Sequence, residues 1–231
     1  GNLERMIEKL RETRRAGADF TIFPECALSG YCFSSLDEAR PHAEQMPGPS
    51  VTRMAEVCAE LGGHVVYGLL EADGDRLFNA LALVGPQGLI GSYRKTHLPF
   101  LGIDMYTSYG EGPFAVHDVD GVRVGMNICY DGGFPEPARC LALLGADLIV
   151  LPTNWPPGAE TAAGYAINTR AMENTVYYAA VNRVGTERGV PFIGRSRICD
   201  PLGKILATAD HADEIILYAD IDVTPSRNKH L

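Results

Sequence analysis

Three positions in this 231-residue chain combine a reactive side chain with a placement suited to chemistry. Cys129 closes the apolar run Val122-Arg123-Val124-Gly125-Met126-Asn127-Ile128, and Tyr130-Asp131-Gly132-Gly133-Phe134-Pro135-Glu136 follows it. Pro135 and Glu136 suit the first turn of a helix, so the thiol falls at a strand-to-helix corner. Such a corner lies at the carboxyl end of a strand, where α/β sheets bind ligands, and it offers backbone N–H groups to an anion. Glu25 follows Phe23-Pro24 at the end of a second apolar run, and Lys95 ends the run Leu89 to Arg94 before Thr96-His97-Leu98-Pro99. Taken singly, Cys129 also reads as a core thiol and the two charges as solvated surface groups. Together they supply a nucleophile, a base and a cation.

A nucleophilic cysteine needs such company, because an ordinary thiol has a pKa of about 8.5 and is mostly protonated at neutral pH. Glu25 can take the thiol proton and return it to a departing amine. The Lys95 ammonium and the Tyr130 backbone N–H can together stabilise the oxygen that turns negative in a tetrahedral intermediate.

The elements that must hold these groups are legible in outline. Leu3, Met6, Ile7 and Leu10 recur at helical spacing over residues 3 to 15, with Asn2 as the expected N-cap. Residues 19 to 23 read as a short buried strand, and a helix follows Pro49-Ser50 and closes at Gly62-Gly63. Strands are expected at 64 to 70, 77 to 84 and 89 to 94, then a long loop over 96 to 112 of the kind that often carries function. A hairpin is expected from 113 to 118 and 122 to 128, turning at Asp120-Gly121. Helices near 136 to 145 and 160 to 173 alternate with strands at 148 to 151 and 175 to 181. Two strands flank Pro201-Leu202-Gly203, and a last one spans 214 to 222. Helices interleaved with strands and hairpins indicate a layered α/β protein with some antiparallel pairing, read as one domain over residues 1 to 231.

Composition narrows the function classes. The formal net charge is -9 and the basic residues form no stripe, which argues against a nucleic-acid partner. No run approaches the roughly 20 apolar residues of a membrane span, so a cytoplasmic location is the default expectation. The six cysteines form no CxxC pair and suggest free thiols, although Cys26 and Cys32 flank a turn and could pair. His97 and His117 lack the spacing of metal ligands.

Phe23-Pro24-Glu25, Tyr93-Arg94-Lys95-Thr96-His97-Leu98 and Asn127-Ile128-Cys129-Tyr130-Asp131 with Phe134-Pro135-Glu136 resemble, in order and separation, the nitrilase or carbon–nitrogen hydrolase superfamily. The likeness extends to Leu28-Ser29-Gly30-Tyr31, Gly110-Glu111-Gly112, Arg170-Ala171-Met172-Glu173-Asn174 and Val181-Asn182-Arg183-Val184-Gly185. The resemblance implies a four-layer α-β-β-α sandwich of two mixed sheets. It also implies a Glu25, Lys95, Cys129 triad, and Glu111 as a second glutamate that positions Lys95 or water. No metal or cofactor is implied. It further implies a homodimer or larger homo-oligomer through the helices near 136 to 145 and 160 to 173. Members begin with a strand before the first helix and end in a tail, so the natural chain is expected to be longer at both ends.

Tyr130-Asp131 after the nucleophile resembles the amidases rather than the nitrilases, which usually carry Trp-Glu there. Gly132-Gly133 stands where carbamoylases for D-amino acids carry two arginines. The expected substrate is thus a small linear amide, with N-carbamoyl compounds, nitriles or a catalytically silent binding subunit as alternatives. Asn154 and Trp155, on the loop after the strand at 148 to 151, are candidate substrate contacts, with plain loop packing equally open.

Overall fold

The computed structural model describes residues 1–209 and 213–228, and it divides into two compact units, Gly1–Gly112 and Pro113–Leu231. In the first unit, helix α1 (Asn2–Arg15) buries Met6, Ile7 and Leu10, with Glu4 in its first turn and Arg14 and Arg15 in its last, as the helix dipole favours. Its N-cap is Gly1 and not the expected Asn2, whose side-chain amide donates instead to the Leu28 carbonyl at 2.9 Å. Strand β1 (Phe20–Ile22) and the short helix α2 (Leu36–Ala39) precede α3 (Pro49–Leu61). Helix α3 has proline at its first turn and ends on Gly62, whose φ of 66° lies in the left-handed region.

Three long strands follow: β2 (His64–Asp73), β3 (Arg76–Gly85) and β4 (Gly88–Arg94). The sheet order is β1-β2-β3-β4, with β1 parallel to β2 and the other pairs antiparallel. Strands β2 and β3 are buried almost throughout, which is why they read as continuous apolar runs and not as an alternation. Helix α3 packs on the sheet with α1 against it, so that Ile7, Leu10, Met54 and Val57 form one core with Val65, Leu69, Ala80 and Val84.

The second unit opens with the hairpin β5 (Val116–Val119) and β6 (Val122–Met126). Its turn residues Asp120 and Gly121 both have positive φ, 50° and 85°, the requirement of a two-residue hairpin turn. Then come α4 (Pro135–Leu143), β7 (Leu148–Thr153), a π-helical turn at Ala162–Ala166 running into α5 (Ile167–Asn174), and β8 (Tyr177–Asn182). A separate hairpin, β9 (Val184–Glu187) with β10 (Val190–Ile193), precedes β11 (Arg197–Cys199) and β12 (Ile205–Thr208). The six-stranded sheet has the order β12-β11-β8-β7-β6-β5, with β6, β7 and β8 parallel. Helices α4 and α5 pack together, and α5 lies on β8 and β11.

Two departures from the sequence reading stand out. The β9–β10 hairpin was not expected; it turns on Arg188-Gly189, both with positive φ, where no Asn-Gly or Asp-Gly announces it. The strand expected at 214 to 222 does not form: that stretch enters no ladder and leads into α6 (Val223–Arg227). Its apolar run, Ile215 to Ala219, suits a strand by composition, but a strand also needs a partner. Here the chain is tied down by α6 instead, where Ser226 and Arg227 donate to the buried Asp147 carboxylate at 2.6 to 3.0 Å. Burial alone would raise the Asp147 pKa, yet these bonds, with the Arg123 N–H, hold it below the usual carboxylate range. No described helix is long and apolar enough to cross a membrane.

Candidate active site

Glu25 is placed by a backbone approach that only glycine permits. The chain leaving β1 continues beside β2, with Gly68 N–H donating to the Pro24 carbonyl and Leu28 N–H to that of Gly68. A Cβ at position 68 would stand 2.2 Å from the Cys26 nitrogen and 2.7 Å from the Glu25 Cα. Lys95 follows β4 and continues its pairing, with its N–H on the Asn79 carbonyl of β3 at 2.9 Å.

These backbone paths bring Glu25 and Lys95 together. Both side chains are fully buried, and Lys95 Nζ lies 2.7 Å from Glu25 Oε1 and 2.6 Å from Asp104 Oδ2. Asn79 donates to Glu25 Oε1 at 2.6 Å and to Asp104 Oδ1 at 2.9 Å, so one amide bridges the two carboxylates. The Tyr31 hydroxyl donates to Asp104 Oδ2 at 2.9 Å. One ammonium thus serves two acids. Burial raises the Glu25 carboxyl above its ordinary value, opposed by the Lys95 ammonium, while the Asp104 charge adds to the rise. A carboxyl with a raised pKa suits a group that must accept a proton and return it. The neighbouring Cys26 thiol is pushed well above its usual range by burial and by the charges of Glu25 and Asp104, which makes it inert.

Sequence reasoning missed Asp104 and Asn79, and the structure puts Glu111 elsewhere than expected. Gly110, the residue before it, is pressed against the Arg94 carbonyl, where a Cβ would come within 2.2 Å. Glu111 is solvent-exposed and pairs with Arg76 at 3.0 Å, while Asp104 supplies the second carboxylate on Lys95. A signal for Asn79 was present, since a lone amide inside a buried apolar strand must find polar partners. Cys26 and Cys32, the candidate redox pair, are free thiols, as are the other four cysteines.

In the second unit, Cys129 begins the 3₁₀ turn Cys129–Gly133 with φ at 44°, in the left-handed region a side chain rarely occupies. Strain of this kind costs on the order of 1–3 kcal/mol and persists where the surroundings impose it, typically at functional sites. Here Asp131 imposes it: its buried carboxylate accepts from the Ile128 N–H at 3.0 Å, and its own N–H donates to the Ile128 carbonyl at 2.9 Å. Cys129 is buried, with 8% of its surface exposed. The Tyr130 ring is partly exposed and meets Phe134 edge-on at 5.2 Å. Asn154 and Trp155 leave the end of β7 and are both buried. Asn182 clamps Trp155, accepting from its N–H at 2.7 Å and donating to its carbonyl at 3.4 Å. Packing of that loop is therefore evident.

The family model for carbon–nitrogen hydrolases matches residues 1–228. The chain belongs to the carbon–nitrogen hydrolase family. A nitrilase of Pyrococcus abyssi is 38% identical over 231 residues, covering all of this chain and 87% of that protein. An omega-amidase of Homo sapiens is 32% identical, covering 96% of this chain and 83% of its own. An (R)-stereoselective amidase of a Pseudomonas species is 34% identical over 96% of this chain and 79% of its own. Among solved structures, a variant of the amidase from Nesterenkonia sp. AN1 bearing the Michael adduct of acrylamide at its active-site cysteine superposes with a TM-score of 0.84. It is 23% identical and is matched over 99% of this chain and 90% of that one. The fold is thus the nitrilase-type α/β fold with two mixed sheets.

For this carbon–nitrogen hydrolase the two candidate acids can be told apart by substitution. Asp104→Asn is expected to lower kcat/KM roughly tenfold to a hundredfold, the equivalent of the about 1.5–3 kcal/mol carried by a hydrogen bond to a charged group. Glu111→Gln should stay within about threefold, because an exposed ion pair contributes at most about 1 kcal/mol. The opposite ranking in steady-state kinetics would return the supporting role to Glu111.

Proposed function

We propose that this carbon–nitrogen hydrolase cleaves small linear amides through a thioester on Cys129. The observation that carries the reading is the dry Glu25–Lys95 pair, 2.7 Å apart at the ends of two strands, in a chain whose strained strand-end residue is a cysteine. The two compact units act as one hydrolase domain, a reading supported by the family match from residue 1 to 228.

In the first half-reaction Glu25 accepts the Cys129 thiol proton and the sulfur attacks the amide carbon. Lys95 and the Tyr130 N–H, which has no acceptor among the described residues, bind the developing oxyanion. Glu25 passes the proton to the nitrogen, the C–N bond breaks, and ammonia or an amine leaves. Water, deprotonated by Glu25, then attacks the thioester; the acid departs and the thiol regains its proton. Asp104 holds Lys95 in place, and Asn154 and Trp155 shape the acyl side. Self-association through α4, α5 and the π-helical turn before α5 fits the apolar side chains they expose, Leu143, Met172 and Tyr165. A cytoplasmic setting suits the free thiols.

The kinship to a protein called a nitrilase keeps nitriles as a second reading. Ammonia release from matched amides, nitriles and N-carbamoyl compounds separates them, with mass spectrometry of the trapped enzyme reporting the acyl group. Amides are expected to be turned over fastest, with a thioester adduct on Cys129. Faster turnover of the nitrile or carbamoyl partner would replace the amidase reading.

A further inference from the structure

Asn79 is the polar residue in the otherwise apolar stretch 77 to 84 of β3. Strand alternation decides which way it faces. Ala80, Ala82 and Val84 join the core with α1 and α3, so Asn79, of opposite parity, points to the other face of the sheet, where it is fully buried. Every polar atom of its side chain is engaged there. The amide oxygen accepts from the Cys26 thiol at 3.5 Å, and the nitrogen donates to Glu25 Oε1 at 2.6 Å and to Asp104 Oδ1 at 2.9 Å. An amide nitrogen carries two hydrogens, so each carboxylate takes one. The Asn79 backbone carbonyl accepts from the Lys95 N–H at 2.9 Å. One residue therefore touches both acids and the segment that carries the ammonium between them.

This arrangement treats the two acids differently. Asp104 meets a donor at each oxygen: Asn79 at Oδ1, and at Oδ2 both Lys95 Nζ, at 2.6 Å, and the Tyr31 hydroxyl, at 2.9 Å. A proton on Asp104 would displace one of these donors. On Glu25, Lys95 and Asn79 meet the same oxygen, Oε1, at 2.7 and 2.6 Å. A proton that arrives on Glu25 Oε2 displaces neither of them.

We propose that Asn79 is the positioning residue that makes Glu25, and not Asp104, the acid that carries the exchanged proton, by holding one oxygen of each carboxylate as an acceptor. This rests on the reading above, in which Glu25 is the base for Cys129. Burial and the Asp104 charge favour the neutral form of Glu25, while the Lys95 ammonium and the Asn79 amide favour the charged form. The titratable groups around Glu25 are Lys95, Asp104 and Cys26, with Tyr31 behind Asp104. Loss of the amide must therefore raise the pH at which Glu25 gives up its proton, and loss of the Asp104 charge must lower it.

The test compares the parent with Asn79→Leu, which is close in size and has no donor, and with Asp104→Asn. Two quantities are followed: the pH dependence of kcat/KM on butanamide, and the titration of the Glu25 carboxyl by NMR of protein labelled with carbon-13 glutamate, assigned with Glu25→Gln. In Asn79→Leu both midpoints are expected at higher pH, with kcat/KM on the acid limb roughly tenfold to a hundredfold below the parent's, the worth of a hydrogen bond to a charged group. In Asp104→Asn both midpoints should move to lower pH. Asn79→Ser keeps a single donor and should fall between the parent and Asn79→Leu; it decides the matter if the leucine variant does not fold. A purely structural role would instead lower kcat/KM evenly across the pH range. Parental titration of Glu25 in the Asn79 variants, or shifts of the same sign in the Asn79 and Asp104 variants, would overturn the proposal. A shifted Glu25 titration in a protein that releases no ammonia from any amide would retain the role of Asn79 and remove the amidase reading beneath it.

Discussion

Cys129→Ala is expected to abolish turnover while leaving the fold in place. A nucleophile that works as a unit with its base has no substitute, and its removal costs at least about ten-thousandfold in kcat by analogy with other nucleophile knockouts. Structural cost is small, because one sulfur is removed at a strand end and the cavity left is below the size of a methylene group or two. The 3₁₀ turn survives, since Asp131, not the thiol, fastens it to Ile128. Ammonia assays and thermal unfolding on the same preparation check both halves of this expectation. Alkylation gives an independent reading. Cys58 and Cys199 are pushed up to about 11 by burial, and Cys26 further above its usual range, so iodoacetamide should label Cys129 ahead of these three. Near-parental kcat in Cys129→Ala would end the proposed chemistry.

Lys95→Gln is expected to lose at least about a hundredfold in kcat, the effect of removing one oxyanion donor. Its second consequence is thermodynamic. Lys95 is the cation between Glu25 and Asp104, and all three side chains are shielded from solvent. Removing it leaves two buried carboxylates facing each other across Asn79, a loss on the order of 3–5 kcal/mol for a broken buried pair. Protonation of Glu25, whose pKa burial already raises, softens that loss, so the variant should become more stable as pH falls relative to the parent. Adding Asp104→Asn to Lys95→Gln removes the second charge and is expected to regain stability without regaining activity. A kcat close to the parent's in Lys95→Gln would exclude the oxyanion role, whatever the unfolding temperature shows.

Glu25, Lys95 and Cys129 stood out in the sequence only in conjunction: each stands where an apolar run stops, and together they offer a base, a cation and a nucleophile. The helices at 2–15 and 49–61 and the strands from 64 to 94 were legible because periodicity and terminating glycines act within a few residues. The strand expected at 214 to 222 does not form, because strand formation depends on pairing with a distant segment, and no local pattern encodes that.

The supporting acid shows the boundary most clearly. Glu111 had the expected place in the chain, yet it lies exposed beside Arg76, while Asp104 lies on Lys95, held by Tyr31 and Asn79 from distant segments. The amino-acid sequence by itself determined the kind of chemistry, since residue types at strand ends are set position by position. Only the tertiary structure decided which carboxylates share the ammonium and which one faces solvent. Those outcomes depend on through-space distances between segments far apart in the chain, and on a burial that makes each remaining charge count.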